Sequence, residues 1–396
     1  MIIDELRIVG STQTNVVMSA ELIRVAQRAV KVRPPNPRKE GLGQLVYPFD
    51  RELAWAAVTY MRTPTRVLWD VYRSQSERLE PLYDELCADI ANDGRALWRD
   101  GDGISVEARH VENFPAGERQ IVGTVKNALV DTMARRGIRL RVDPQRPATR
   151  WVARQDDKGE MVISIDLGGG SLSQRGWRRD AGEAPLREHL AAVLLMLCRF
   201  DPRRDALVDP MCGSGTIPIE AVLSARATPR PTPGLSALGI KYVAEDAKSL
   251  EPAPLYSDAA PLVVGCDIDL DVLAAARDNA RAARVGEAIT WQRADVATLT
   301  PAIIDDIARE RGREPPREGV LLSNPPYGER LDEADLVPIY RALAETVQRF
   351  PRGWRAGFLV GNPLLEEVFA DAGGRPRIKK PLANANLRAY FYLYEL

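Results

Sequence analysis

The chain has 396 residues, 45% of them hydrophobic and 28% charged, which is enough for two or three domains with cores of their own. Its longest apolar run, Leu190–Cys198, falls far short of the roughly 20 residues a spanning helix needs, and the opening Met1-Ile2-Ile3-Asp4-Glu5 lacks the basic-then-apolar order of a secretory leader. The expectation is a cytoplasmic protein without a membrane anchor, and a net charge of −1 argues against capture of nucleic acid by the molecule as a whole.

In chain order, residues 1–44 yield one helix, Ser19–Val32, ended by Pro34-Pro35-Asn36-Pro37. From Gln44 the pattern predicts strand Gln44–Pro48, helix Arg51–Arg62, strand Arg66–Tyr72, helix Pro81–Asn92, strand Ile104–Arg109 and helix Gln120–Arg136. Strands Trp151–Arg154 and Met161–Asp166 follow, joined by a hairpin turn at Asp157-Lys158-Gly159. This is an α+β arrangement. Arg135, Arg136, Arg139, Arg141, Arg146, Arg150 and Arg154 cluster within it around a single acid, Asp143, and Arg175, Arg178 and Arg179 come soon after. Such runs are more often solvated faces than binding sites. The domain that follows gives this one weight, and Arg135, Arg139, Arg141, Arg175 and Arg178 are the expected contacts to a nucleic-acid backbone.

Gly168-Gly169-Gly170-Ser171 marks a boundary by composition. Beyond it helices and strands alternate: helix Leu186–Cys198, strand Ala206–Val208, helix Ile217–Ser224, strand Leu262–Cys266, helix Val272–Arg284, then strands Thr290–Arg293 and Gly319–Leu322. Alternation of this kind implies a parallel sheet covered on both faces. The Pro- and Gly-rich stretch Arg226–Ala260 reads as an insertion within this domain.

Between a strand and a helix lies Asp209-Pro210-Met211-Cys212-Gly213-Ser214-Gly215-Thr216. Glycines there let backbone approach a ligand closely, and a helix start offers unpaired N–H groups. A phosphate loop needs Gly-Lys-Ser/Thr, but Thr216-Ile217 follows Gly215; a dinucleotide fingerprint needs a third glycine where Pro218 stands. The acids favour a nucleoside instead. Asp267, at the end of the next strand in Gly265-Cys266-Asp267-Ile268-Asp269, is placed to accept ribose hydroxyls, and Asp295 closes the following strand near an adenine edge. Each acid alone is more often a helix cap. Three in order at successive strand ends fit S-adenosylmethionine: a turn for the methionine, an acid for ribose, a polar group for adenine. Asp209, Pro210, Cys212, Gly213, Gly215, Thr216, Asp267, Ile268, Asp295 and Asn324 are the expected cofactor contacts.

Ser323-Asn324-Pro325-Pro326-Tyr327-Gly328 follows the fourth strand and is the most specific feature of the chain. Adjacent prolines stiffen the loop and turn its carbonyls outward. An exocyclic amine is a poor nucleophile because its lone pair is delocalised into the ring. The Asn324 oxygen and the Pro325 carbonyl can both accept its N–H bonds, and Tyr327 offers a face for a flipped base. Asn324, Pro325, Pro326 and Tyr327 are the expected catalytic residues. Two histidines, His110 and His189, make histidine acid–base chemistry improbable. Cys87, Cys198, Cys212 and Cys266 lie far apart without a CxxC pair, so neither a metal site nor a disulfide is expected, and the thiols read as single and buried.

These motifs, with Asp166–Arg178, Gly182–Ala192 and the C-terminal Lys379–Leu387, resemble the THUMP-domain RNA guanine-N2 methyltransferases, the bacterial 23S ribosomal RNA type above all, with a related tRNA branch. The resemblance covers about 44–396. The chain departs from the usual Ser-Gly at the junction with Gly168-Gly169-Gly170, and from the usual Asn-Gly turn with Asn384-Ala385. It implies an α/β Rossmann-like class I methyltransferase domain over 168–396, preceded by a ferredoxin-like segment (1–80) and a THUMP RNA-binding domain (81–167). It further implies S-adenosylmethionine as donor with S-adenosylhomocysteine as product, no metal, an RNA partner, and a monomer. The alternatives are a tRNA guanine-N2 enzyme, an adenine-N6 or protein-glutamine methyltransferase, or a non-catalytic RNA-binding module. The α+β region speaks against glutamine. The intact Asp209, Gly213, Gly215, Asp267 and Asn324 speak against a dead site.

Overall fold

The computed structural model of the chain describes residues 1–95, 97–179, 186–230, 252–327, 332–384 and 387–396. It divides into two compact units, one of Met1–Gly10, Thr14–Leu172 and Pro229–Ala253, the other of Ser11–Gln13, Ser173–Thr228 and Pro254–Leu396. No helix among the described residues is long and apolar enough to cross a membrane.

The first unit is built on one mixed sheet of eight strands: β1 (Ile2–Val9), β2 (Arg38–Glu40), β3 (Gln44–Pro48), β4 (Arg66–Ser74), β5 (Gly103–Arg109), β6 (Arg141–Val142), β7 (Thr149–Gln155) and β8 (Met161–Asp166). Their order is β2-β3-β1-β4-β8-β7-β5-β6. Segments 1–80 and 81–167 thus contribute to one continuous sheet, joined where β4 pairs with β8 in the register Asp70↔Ser164. Helices α1 (Asn15–Ala29), α2 (Arg51–Tyr60), α3 (Leu79–Asn92) and α4 (Glu118–Arg135) complete the unit. Asp50 caps α2 by accepting the Leu53 N–H at 2.7 Å. Trp98, Trp151 and Tyr72 stack in its core, with Trp98 and Trp151 centroids 5.6 Å apart.

Two features of this unit differ from the sequence expectation. Helix α1 begins at Asn15, four residues before Ser19, and β1 and β2 occupy stretches that gave no pattern. β1 hid because it buries a cation. Arg7 is fully buried and donates from Nε to Asp70 Oδ2 at 2.8 Å, while Nη1 pairs with Glu40 at 2.6 Å. Arg154 Nη2 donates to the same Asp70 oxygen at 2.9 Å and Ser164 Oγ to Oδ1 at 2.6 Å. Burial alone would raise the Asp70 pKa, but Arg154 and Arg7 hold it below the usual carboxylate value. The insertion also behaves differently. Residues 231–251 lie outside the described residues, but Arg230, at its start, groups with the first unit: its N–H donates to the Thr59 carbonyl at 2.9 Å and Nη2 to that of Ala57 at 3.2 Å.

The second unit carries a seven-stranded sheet in the order β11-β10-β9-β12-β13-β15-β14. Its strands are β9 (Asp205–Asp209), β10 (Val263–Asp267), β11 (Ile289–Arg293), β12 (Glu318–Ser323), β13 (Trp354–Val360), β14 (Ile378–Asn384) and β15 (Leu387–Glu395). The first five are parallel; β15 runs antiparallel to β13 and forms a hairpin with β14. Helices α5 (Glu188–Leu197), α6 (Thr216–Ala225), α7 (Leu270–Ala282), α8 (Pro301–Glu310), α9 (Glu333–Arg349) and α10 (Leu364–Asp371) accompany it. Every residue of β9 is buried, as a central parallel strand demands, and full burial of a Leu or Val there contributes roughly 1.5–3 kcal/mol. The chain steps from β9 to β10 on one side and returns to β12 on the other. The crevice beyond the carboxyl ends of β9 and β12 is therefore the topological switch point, where open α/β sheets bind ligands.

Candidate active site

Two loops meet at that switch point, one after β9 and one after β12. The first is the glycine turn. Gly213 and Gly215 have φ of +53° and +84°, and a Cβ on Gly215 would lie 2.7 Å from the Trp291 ring. Conformation and space both require glycine at 215. The turn is folded mostly on itself: Met211 N–H donates to Asp209 Oδ1 at 3.2 Å, Cys212 N–H to the Cys266 carbonyl at 2.8 Å, and Gly215 N–H to the Cys212 carbonyl at 2.9 Å. Gly213 N–H donates to Asp267 Oδ2 at 3.0 Å, which ties the turn to the end of β10.

The acids divide by role. Asp267 is half-buried beside Ile268, which is 60% exposed, so a carboxylate and an apolar side chain sit together at the crevice edge. Asp269 is the N-cap of α7, accepting from Asp271 N–H at 2.8 Å. Asp295 is exposed and caps a short 3-10 turn, Val296–Thr298, through one oxygen that accepts the Ala297 N–H at 2.9 Å. Asp209 is buried beneath both loops. Burial, reinforced by the charge of Asp267 and opposed by bonds from Ser323 and Met211, pushes its pKa up to about 7. Burial also raises the Cys212 thiol and takes Cys266 to about 12, so neither is a ready nucleophile. Cys87, by contrast, is only half-buried.

The second loop leaves β12 at Ser323, whose Oγ donates to Asp209 Oδ1 at 2.7 Å and so locks the two loops together. The Pro326 carbonyl accepts from the buried Tyr340 hydroxyl at 2.8 Å, and the Tyr327 ring packs so closely on Gly361 that a Cβ there would sit 2.7 Å from it. Asn324 stands between these anchors. Its Oδ1 is buried and has no hydrogen-bond partner. A buried acceptor without a partner costs stability, and this one belongs to the loop at the switch point. Residues 328–331, the last part of the motif, lie outside the described residues.

The model of the RMKL-like methyltransferase domain matches residues 175–388. The chain belongs to this family. It is 36% identical over 259 residues to the ribosomal RNA large subunit methyltransferase K/L of Aeromonas salmonicida, a match covering 61% of this chain and 35% of that protein. To the enzyme of the same name from Chromohalobacter salexigens it is 35% identical over 334 residues, 79% of this chain and 43% of that one. The chain thus spans less than half the length of these curated relatives. A Listeria monocytogenes structure described as a predicted N6-adenine-specific DNA methylase superposes with a TM-score of 0.77 at 25% identity, covering 99% of this chain and 96% of the other. Membership makes the second unit a methyltransferase domain with S-adenosylmethionine as its cofactor. The site fits that molecule. Gly213 and Gly215 give close backbone approach, Asp267 with Ile268 forms a polar and apolar edge, and buried polar atoms stand open.

The RMKL-like match begins at Arg175, and the structure corrects the expected role of this segment. The Arg175 side chain is 1% exposed and pairs with Glu220 of α6 at 3.3 Å, out of reach of an RNA backbone. Arg178 is mostly buried, bonded to Glu188 at 3.2 Å, the Leu186 carbonyl at 2.7 Å and Thr216 Oγ1 at 3.1 Å. Arg179 N–H donates to Asn279 Oδ1 at 2.9 Å, and Asn279 Nδ2 in turn to the Ser214 carbonyl at 3.1 Å. The segment is part of the glycine-turn scaffold. One sequence signal pointed there: Glu220 is the single charged residue in the apolar stretch Thr216–Ala225, and such an acid, when buried, needs a cation. Arg135, Arg139 and Arg141 behave otherwise; they are exposed around the edge strand β6 of the first unit.

Proposed function

We propose that the second unit methylates the exocyclic N2 amine of a guanosine in structured RNA, 23S ribosomal RNA before transfer RNA. The open Oδ1 of Asn324 carries the reading. An exocyclic amine offers N–H donors and lacks a free lone pair; an acceptor held at the mouth of a rigid loop takes one N–H and rotates the lone pair toward the electrophile. S-adenosylmethionine supplies that electrophile, a methyl group on a sulfonium. Asp267, Ile268 and the Gly213–Thr216 turn hold the donor, and Asp295 has one carboxylate oxygen outside its cap bond to offer an adenine edge. Asp209 and Ser323 fix the spacing of the two loops, so most of the rate comes from positioning and exclusion of water. Tyr327 gives the flipped base a stacking face.

RNA as substrate draws support from the names of the relatives and from the exposed Arg135, Arg139 and Arg141, which suit phosphate contacts. It makes the cytoplasm the compartment of action, with the chain working as a monomer. Adenine N6 is the rival reading, favoured by the description of the Listeria structure. The test is mass spectrometry of nucleosides after the purified chain, with S-adenosylmethionine, acts on unmodified 23S rRNA, tRNA and duplex DNA in separate reactions. N2-methylguanosine from rRNA is expected. N6-methyladenine from any of them would overturn the guanine assignment.

A further inference from the structure

The glycine turn has too few backbone donors for the anionic end of an amino acid. The N–H groups of Met211, Cys212, Gly213 and Gly215 are taken by protein oxygens, and within the turn only that of Ser214 is left. In the first turn of α6, Pro218 has no N–H, so the helix start adds those of Thr216 and Ile217 to that of Ser214. A helix start thinned in this way binds an anion weakly on its own.

A cation stands beside it. Arg178 donates from Nη2 to Thr216 Oγ1 at 3.1 Å, so its guanidinium lies against the start of α6. Bonds from Nε to Glu188 and from Nη2 to the Leu186 carbonyl fix the plane, and the Trp177 ring lies 5.4 Å from its central carbon. The remaining nitrogen, Nη1, is buried and has no hydrogen-bond partner. A buried guanidinium N–H without an acceptor is costly, because a charged group loses water and gains nothing. The segment carrying it is anchored on both sides, through Arg175 to Glu220 and through Arg179 and Asn279 to the Ser214 carbonyl. An arginine stretched so firmly against the turn has a fixed job.

We propose that Arg178 Nη1 binds the α-carboxylate of the S-adenosylmethionine methionyl moiety, acting as a cofactor-binding residue from a segment ahead of the Rossmann strands. This rests on the donor reading above and adds to it a counter-charge the turn itself lacks. Arg178 neutralises the carboxylate while Thr216 Oγ1 and the first N–H groups of α6 border it, so the methionyl arm is held from its charged end.

The test compares two ligands that differ in that arm. S-adenosylhomocysteine has the amino acid; 5′-methylthioadenosine keeps the nucleoside and sulfur and lacks the carboxylate. Calorimetry on the full chain should give Arg178→Ala a loss of about tenfold to a hundredfold for S-adenosylhomocysteine, with 5′-methylthioadenosine unchanged. Arg178→Lys, which keeps the charge and loses the fork, should fall between; should Arg178→Ala fail to fold, the same selective loss in the lysine variant decides the matter. Equal losses on both ligands mean a structural wall and overturn the proposal, as does an unchanged affinity for S-adenosylhomocysteine. Loss of RNA affinity with cofactor affinity intact would return Arg178 to an RNA-binding role. A wild-type chain that binds neither ligand sinks the donor reading itself.

Discussion

In the first unit buried charges answer one another: Arg7 and Arg154 converge on Asp70, Ser164 donates to its other oxygen, and Glu40 takes Arg7 Nη1, although Arg7 Nη2 and Arg154 Nε have no hydrogen-bond partner. In the second unit, at the carboxyl ends of β9 and β12, Asn324 and Arg178 are less deeply buried, and their Oδ1 and Nη1 atoms are without partners. A network in which every charge meets its opposite fixes a structure, and much of its cost of burial is offset within the protein. An open group at a switch point carries its cost until something else arrives. The contrast separates groups that hold the fold from groups held ready by it.

The largest expected effect tests the closed side. Asp70→Ala leaves two buried guanidinium groups without their shared acceptor and should cost about 3–5 kcal/mol of stability, read as an earlier unfolding transition in urea. A shift under about 1 kcal/mol, the size of an ordinary surface pair, would mean that Glu40 and solvent compensate and that the network is open after all. Asn324→Ala tests the open side. Removing an unsatisfied oxygen should leave the urea transition in place, while single-turnover methylation slows by about 10²–10³, equivalent to roughly 2.7–4 kcal/mol in the barrier. Near wild-type turnover would reduce Asn324 to a turn residue.

A third test concerns arginines that look alike in sequence. Replacing Arg135, Arg139 and Arg141 together with Ala should weaken RNA binding and lower its salt slope by about 0.7–0.9 for each phosphate no longer neutralised. Cofactor affinity and the urea transition should not move. An unchanged slope identifies these three as a solvated face. The last test is in pH. Burial raises Asp209 in the folded chain to about 7, against an ordinary 3.8. The folded state therefore holds a proton that the unfolded chain releases between those values. Its contribution to stability is complete below about 4 and is lost as pH rises toward 7. Asp209→Asn should flatten stability over that window; an identical slope in both proteins would show that Asp209 does not take up that proton on folding.

Much of the second unit was legible. Its hydrophobic strands, the glycine turn and the Asn-Pro-Pro-Tyr loop are local patterns, and a local pattern survives in one dimension. What failed was non-local. β1 was invisible because Arg7 breaks its apolar rhythm and finds Asp70 63 residues away. The run of arginines past 170 read as one basic surface because Arg175 meets Glu220 only across 45 residues of chain. The hairpin of β14 and β15 was reached only through resemblance, and β13 was not read at all, since it is buried almost throughout and a mostly apolar run has no period to distinguish it. Asp295 shows the opposite lesson. Its capping bond fits the plain reading of an acid after a strand, and only its second oxygen remains for chemistry.

The Trp291 ring lies where a Cβ on Gly265 would come within 2.6 Å of it and one on Gly215 within 2.7 Å. Gly265 is in a strand, so its restriction is purely spatial, whereas Gly215 also needs its left-handed φ. The fates of positions 265 and 291 are therefore joined. Alanine at 265 drives a methyl into the indole, and a smaller residue at 291 alone leaves a void beneath the turn. Made together, the two changes offset each other. Mutational tolerance at this floor is then a property of the pair, and a substitution harmful in this chain can be neutral in one that has already given up the tryptophan.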